Sequence, residues 1–223
     1  MLLCLVTDRR RLGSLLGLSE RDWRDALQVQ VTAAARAGVD FIQVREPDLE
    51  AAELVELVRA LVRAVEHTSA RVLVNDRVDV ALAAGAAGVQ LKEQSILPDA
   101  VRRMTRPEFV IGCSVHNIFS AAARKSANFL IAGTVMPTAS KPAVDYLDRE
   151  GLRRIVEAAA GQPVLGIGGL DLPSIPLLAS AGAKGMAAIG AFMPTAAGGD
   201  VTENVQKRVT ALRFALESAT PRT

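Results

Sequence analysis

Cysteine and histidine are scarce in this chain, with two of each among 223 residues, and tryptophan and tyrosine occur once each. The two cysteines, Cys4 and Cys113, sit inside apolar runs, where a thiol behaves as a small hydrophobe. Their spacing suggests neither a zinc site nor a disulfide framework, and it suits a reducing cytoplasm. An excess of one charge sign is also missing. Lys and Arg number 26 against 24 Asp and Glu, a net charge of +2. That leaves no basic stripe to neutralise a run of phosphates, so nucleic acid is not an expected partner. Long apolar runs are absent too. Met1–Val6 is apolar for only six residues with no basic region before it, too short for a secretory signal or a membrane span. It reads as a first buried strand.

Half of the residues are hydrophobic, enough for one sizeable core. After Leu2–Val6 a Gly/Leu/Ser-containing loop is expected as far as Ser19. A helix then starts near Ser19 with acids in its first turn and closes at Gly38. Phe41–Glu46 is a second strand, ended by Pro47-Asp48, and Leu54, Leu57, Val58, Leu61, Val62 and Val65 mark a helix from Ala51 to about His67. Arg71–Asp76 is a third strand, Arg77–Leu82 a short helix closed by Gly85, and Gly88–Leu91 a fourth strand. The rhythm then repeats: strand Phe109–His116, an Ala-rich helix, strand Phe129–Val135, a long polar loop Met136–Tyr146, and a helix over 148–160. Strand Pro163–Gly169, a helix over 172–181, strand Met186–Ala191 and a last amphipathic helix complete the chain.

Eight short strands alternating with helices, with little sequence to spare, predict parallel strands joined by right-handed crossovers. A doubly wound open sheet shows the same alternation. Strands this apolar on both faces, in a chain this short, favour closure: an α/β fold with a single (β/α)8 TIM barrel over residues 1–223.

In such a barrel the chemistry belongs where strands end. The groups found there are Gln43, Arg45 and Glu46; Asn75 and Asp76; Gln90; Ser114 and His116; Thr138, Ser140 and Lys141; Gly168 and Gly169; Ile189 and Gly190. The glycines after strands seven and eight would let bare amides approach an anion, so a phosphate site is expected there rather than mere turns. Lys141, Thr138 and Ser140 offer a cation and two hydroxyls for a phosphoryl group, or else a solvated turn. Asp76 could direct magnesium, with Asn75 on a heterocycle edge, or it could cap the next helix. His116 has the right chemistry for a general acid or base; otherwise it caps or hydrogen-bonds the following helix. His67, at the end of an outer helix, is given no role.

These segments resemble the thiamine-phosphate synthase and TenI superfamily. The pieces that carry the resemblance are Leu5–Asp8, Gln43–Glu46, Val74–Leu82, Gly88–Leu91, Gly112–His116, Pro137–Pro142, Gly166–Gly169 and Gly182–Gly185, in that order along nearly the whole chain. The resemblance implies two activities. Synthases join hydroxymethylpyrimidine diphosphate to a thiazole phosphate with magnesium: pyrophosphate leaves and the thiazole nitrogen attacks the resulting cation. Their strand-two motif ends Arg-Glu-Lys, and an Asp after strand four helps bind magnesium. This chain has Arg45-Glu46-Pro47 at the first place and Gln94-Ser95 where Glu-Asp would stand at the second.

TenI-type thiazole tautomerases instead aromatise a carboxythiazole phosphate without a metal. They resemble this chain in Val89-Gln90-Leu91 with Ser95, and in Ser114-Val115-His116, whose histidine is their acid/base group. The expectation is therefore a tautomerase in thiamine biosynthesis. His116 shuttles the proton, Arg45 and Gln43 orient the substrate carboxylate, and Gly168, Gly169, Ile189 and Gly190 hold the phosphate with Asn75, Ser114, Thr138, Ser140 and Lys141 around it. No cofactor is needed for that reaction. The alternatives are a synthase using magnesium at Asp76, or an idle barrel that binds a thiazole or thiamine phosphate as a regulator. The partner is a phosphorylated thiazole, and the apolar outer helices allow a homodimer.

Overall fold

The computed structural model describes residues 1–19, 22–138, 146–195 and 200–219. Ser140 and Lys141, and the first turn expected after Ser19, lie outside these residues. The eight strands are β1 (Leu2–Val6), β2 (Phe41–Val44), β3 (Arg71–Asn75), β4 (Gly88–Leu91), β5 (Val110–Val115), β6 (Phe129–Gly133), β7 (Val164–Ile167) and β8 (Gly185–Ala188). Each pairs in parallel with its sequence neighbours, and β8 returns to β1 to close the ring. Closure excludes the open doubly wound sheet, whose two edge strands would leave unpaired backbone groups.

The period of two along each strand separates two cores. Leu3, Leu5, Ile42, Val72, Val74, Val89, Ile111 and Leu130 point outward to the helices. Cys4, Val6, Leu73, Val110, Phe129, Ile131, Leu165 and Ala187 fill the barrel itself. Phe41 and Phe129 stack at 4.8 Å with planes 10° apart. Phe41 opens β2, so the pair seals the end of the barrel where the strands begin. Following the inward positions upward, the apolar fill gives way to Gln43, Asn75, Gln90 and Ser114. The barrel is therefore plugged at one end and polar at the other.

The helices are α1 (Arg9–Leu16), α2 (Trp23–Arg36), α3 (Ala51–Val65), α4 (Val78–Ala84), α5 (Pro98–Met104), α6 (Ile118–Ala122), α7 (Asp148–Ala158), α8 (Ile175–Ser180) and α9 (Val201–Ala219). Two depart from the sequence reading. The expected loop before Ser19 is α1: the Asp8 side chain accepts from the Arg11 N–H, Gly17 closes the helix in the left-handed region, and Leu12 is buried. Local capping outweighs the propensities of Gly13 and Ser14 there. Residues 98–104, given no element from the sequence, form α5 with Pro98 in its first turn. The strands also end earlier than their apolar runs suggest, β6 at Gly133 and β8 at Ala188. Those residues pass into the loops that rim the polar end. No helix among the described residues is long and apolar enough to cross a membrane.

Candidate active site

A cavity of about 720 Å³ opens at the polar end, where the strands finish. It lies in the upper half of the roughly 300–1,000 Å³ span of small-molecule sites. Of the residues singled out in the sequence, Gln43, Arg45, Asn75, Ser114, His116, Thr138, Gly168, Gly169, Ile189 and Gly190 all line it. Asp76 does not.

The wall at β7 and β8 is built from backbone. Gly168 has φ +101°, and a Cβ there would collide with the Thr134 side chain. Gly169, at φ +64°, would meet the Pro137 carbonyl. Only glycine fits both constraints, so the loop is committed to bringing bare backbone to the cavity. Both glycines line the cavity, so their backbone can approach an anion closely. Just past the adjacent strand, β8, a Cβ on Gly190 would come within 3.3 Å of the Arg11 guanidinium. Arg11 makes no ion pair among the described residues, so its charge is available beside the glycines. The sequence reading missed Arg11 because it missed α1; the signal was Asp8, three residues earlier, as a cap.

Across the ring, β2 to β4 supply the polar wall. Gln43 Nε2 donates to Asn75 Oδ1 at 2.9 Å, while Gln43 Oε1 is buried with no donor. An orphaned buried acceptor loses about 1–3 kcal/mol of hydration without recompense. It is suited to a ligand N–H, not to the carboxylate that Gln43 was expected to orient. Arg45 donates its backbone N–H to Thr7 Oγ1, and its guanidinium forms no ion pair among the described residues. Glu46, next in sequence, turns the other way into a buried pair with Arg9 at 3.0 Å. Gln90 Nε2 donates to Ser114 Oγ at 3.3 Å.

His116 stands past the end of β5 with Nδ1 2.7 Å from Glu93 Oε2. It does not cap α6. Asn117 does, accepting from the Ser120 N–H in a reciprocal capping box. Burial pushes the Glu93 carboxyl up, but Ser120 and His116 outweigh it and hold the group below its ordinary value. Glu93 is thus an anionic partner that orients the imidazole, and Arg124 fixes the Glu93 backbone by donating to its carbonyl.

Asp76 also fails to cap its helix. Its backbone is left-handed at φ +65°, and α4 begins at Val78 with no side-chain cap. The carboxylate instead accepts from Lys92 Nζ at 2.7 Å and from the Ser95 hydroxyl. Burial raises the Asp76 carboxyl, and these two donors more than reverse that, leaving it lowered. The fit to magnesium is poor. A magnesium site draws on one or two carboxylates with phosphate oxygens, yet Asp76 already has an ammonium and a hydroxyl on its oxygens. No three His, Cys, Asp or Glu side chains converge anywhere among the described residues. Lys92, which does line the cavity, was not singled out from the sequence because it lies one residue beyond β4. Neither cysteine contributes. Both are buried and free, and burial pushes their thiols up to about 12, far from a reactive thiolate.

Comparison with known proteins identifies the family. Residues 15–192 match the TMP-TENI family model, described as thiamine monophosphate synthase. A putative thiamine-phosphate synthase of Geobacter sulfurreducens is 39% identical over 195 residues, covering 86% of each chain. The thiamine-phosphate synthase of Pyrococcus abyssi is 37% identical over 179 residues, 79% of this chain and 86% of that one. Among solved structures, thiamine phosphate pyrophosphorylase from Pyrococcus furiosus superposes with a TM-score of 0.78 at 32% identity, over 99% of this chain and 97% of the other. With the family model spanning most of its length and the barrel mouth built as described, this chain belongs to the thiamine monophosphate synthase family and is an enzyme fold of thiamine biosynthesis.

Proposed function

We propose that the chain is a thiamine-phosphate synthase, joining hydroxymethylpyrimidine diphosphate to a thiazole phosphate with release of pyrophosphate. This reverses the order of preference reached from the sequence, because the relatives are named for coupling and not for tautomerisation. The observation that carries the reading is the pair of cationic poles at the cavity. Arg11 stands beside Gly190 after β8, and Lys92 follows β4. In a closed ring of eight, β4 and β8 are diametrically opposed. Two phosphorylated ligands can then lie across one cavity with their charged groups apart.

The thiazole phosphate sits against the Gly168 and Gly169 amides and Arg11. The pyrimidine lies over β2 and β3, where Gln43 Oε1 accepts an N–H of the heterocycle and Asn75 fixes Gln43. Its diphosphate faces Arg45 and Lys92. Heterolysis of the carbon–oxygen bond sends the electron pair out with pyrophosphate, and the thiazole nitrogen then donates its lone pair to the carbon left behind. What the chain supplies is chiefly orientation of the two reactants and electrostatic stabilisation of the leaving charge. Two free buried cysteines suit the cytoplasm as the location.

The His116–Glu93 contact favours a second reading, proton transfer on a single carboxythiazole phosphate. Two assays on one preparation separate the readings. Coupling predicts pyrophosphate release only when both substrates are present, with a His116→Ala variant retaining most of that rate. Aromatisation of the carboxythiazole phosphate alone, abolished in His116→Ala, would establish the second reading. Tight ligand binding with turnover in neither assay would leave a binding protein.

A further inference from the structure

Asp76 and Lys92 make an arrangement that the coupling reaction does not by itself require. Asp76 holds an unfavourable left-handed backbone, a conformation that persists in a non-glycine residue only where surrounding contacts enforce it. The contacts here are specific. The turn Lys92–Ser95 is closed by Ser95 N–H to the Lys92 carbonyl at 3.2 Å and by Lys92 N–H to Ser95 Oγ at 3.1 Å. The same Ser95 hydroxyl donates to Asp76 Oδ1, and Lys92 Nζ reaches Asp76 Oδ2 at 2.7 Å. Both carboxylate oxygens are therefore engaged, one by a neutral donor and one by a cation.

The lysine is not spent on this pair. Its side chain is 63% exposed and lines the cavity, whereas the Asp76 side chain is only 26% exposed and does not line it. An ammonium has three N–H donors. One is held by Asp76, and the others are left for a ligand. A divalent cation at this spot would have to displace Lys92 or lie beside it, against its charge.

We propose that Lys92, anchored by Asp76, is a pyrophosphate-binding cation of this enzyme, acting with Arg45, and occupies the place that a divalent metal would otherwise take. The inference rests on the coupling reading, which supplies the diphosphate. As the carbon–oxygen bond breaks, the electron pair leaves on pyrophosphate, and the Lys92 ammonium pairs with that charge without giving up a proton. Asp76 is a positioning residue: it fixes the direction of the lysine, and Ser95 fixes the turn.

Calorimetric titration of inorganic pyrophosphate, with and without magnesium, tests this on the full chain apart from any turnover. The wild type is expected to bind pyrophosphate in EDTA, with magnesium changing the affinity less than about threefold. Lys92→Gln is expected to weaken binding by about 10- to 100-fold, the usual range for losing a charge-assisted contact, and Lys92→Arg to recover part of it. A thermal melt checks that each variant is folded. Pyrophosphate binding that requires magnesium, binding that is unchanged in folded Lys92→Gln, or no binding under either condition would each overturn the proposal. Failure of the coupling reading is seen separately, in the absence of pyrophosphate release from the two substrates with or without magnesium.

Discussion

Replacing Gly168 with valine is expected to weaken binding of thiazole phosphate by about 100-fold or more while leaving the barrel folded. Two effects coincide. The backbone at φ +101° is one that a β-branched residue hardly adopts, at a cost of about 1–3 kcal/mol. The new side chain also starts inside the space of Thr134. Relief requires the peptide after β7 to rotate, which turns the Gly168 and Gly169 N–H groups from the cavity. Each hydrogen bond to a charged ligand is worth about 1.5–3 kcal/mol, so losing one or two gives the stated range. Calorimetry with the thiazole phosphate reads the effect directly. Gly168→Ala, with the same backbone penalty and a smaller clash, should fall between.

Arg9→Ala should be the most destabilising substitution on the rim of the barrel, by about 3–5 kcal/mol at neutral pH. Arg9 joins α1 to the β2 exit, donating to Glu46 at 3.0 Å and to both oxygens of Asp48. Its guanidinium also stacks 4.9 Å over Trp23. Without it the Glu46 carboxyl, 2% exposed, is left without a cation and must either stay charged in a buried site or take up a proton. The pH dependence gives the signature. Burial raises the Glu46 carboxyl against the lowering effect of Thr7 and Arg9, and removing Arg9 raises it further. The fold then binds a proton at Glu46 that the unfolded chain does not. Stability contributed by this group is present below the unfolded value near 4.5 and is lost as pH rises through the folded value. Asp48 works in the opposite sense. Arg9 holds it well below the usual carboxylate range, so its contribution exists above about 3.8 and disappears in acid. Urea denaturation across pH should therefore show the variant losing stability toward neutral pH. Arg9→Ala combined with Glu46→Gln should remove that slope.

Much of this site could be read from residue order because the strand period of two carries it. Gln43, Asn75 and Ser114 stand at inward positions near strand ends, and those positions face the cavity once the ring closes. For Asp76 and His116 the capping alternative fails for local reasons. Asp76 precedes a helix, as a cap should, but its left-handed backbone directs the carboxylate to Lys92 and Ser95 from the next loop. His116 likewise yields the cap to Asn117. Neither outcome is encoded within a few residues of the site. Arg11, Lys92 and Glu93 were missed because each lies outside a strand and reaches the cavity through a turn or helix whose course only the closed barrel sets. In the sequence Pro47 and Ser95 read as losses on the leaving-group side, and Lys92, three residues before Ser95, carries no signal of its own until the turn brings it to the cavity.

The central claim is that one cavity holds two phosphorylated ligands at once, with anion sites after β8 and β4. The most direct measurement is the affinity of the thiazole phosphate in the presence of saturating pyrophosphate. The account predicts that the thiazole phosphate still binds with one equivalent and an affinity within a few-fold of that without pyrophosphate. Competitive displacement, with its apparent dissociation constant rising in proportion to pyrophosphate, would mean a single anion site and contradict the account.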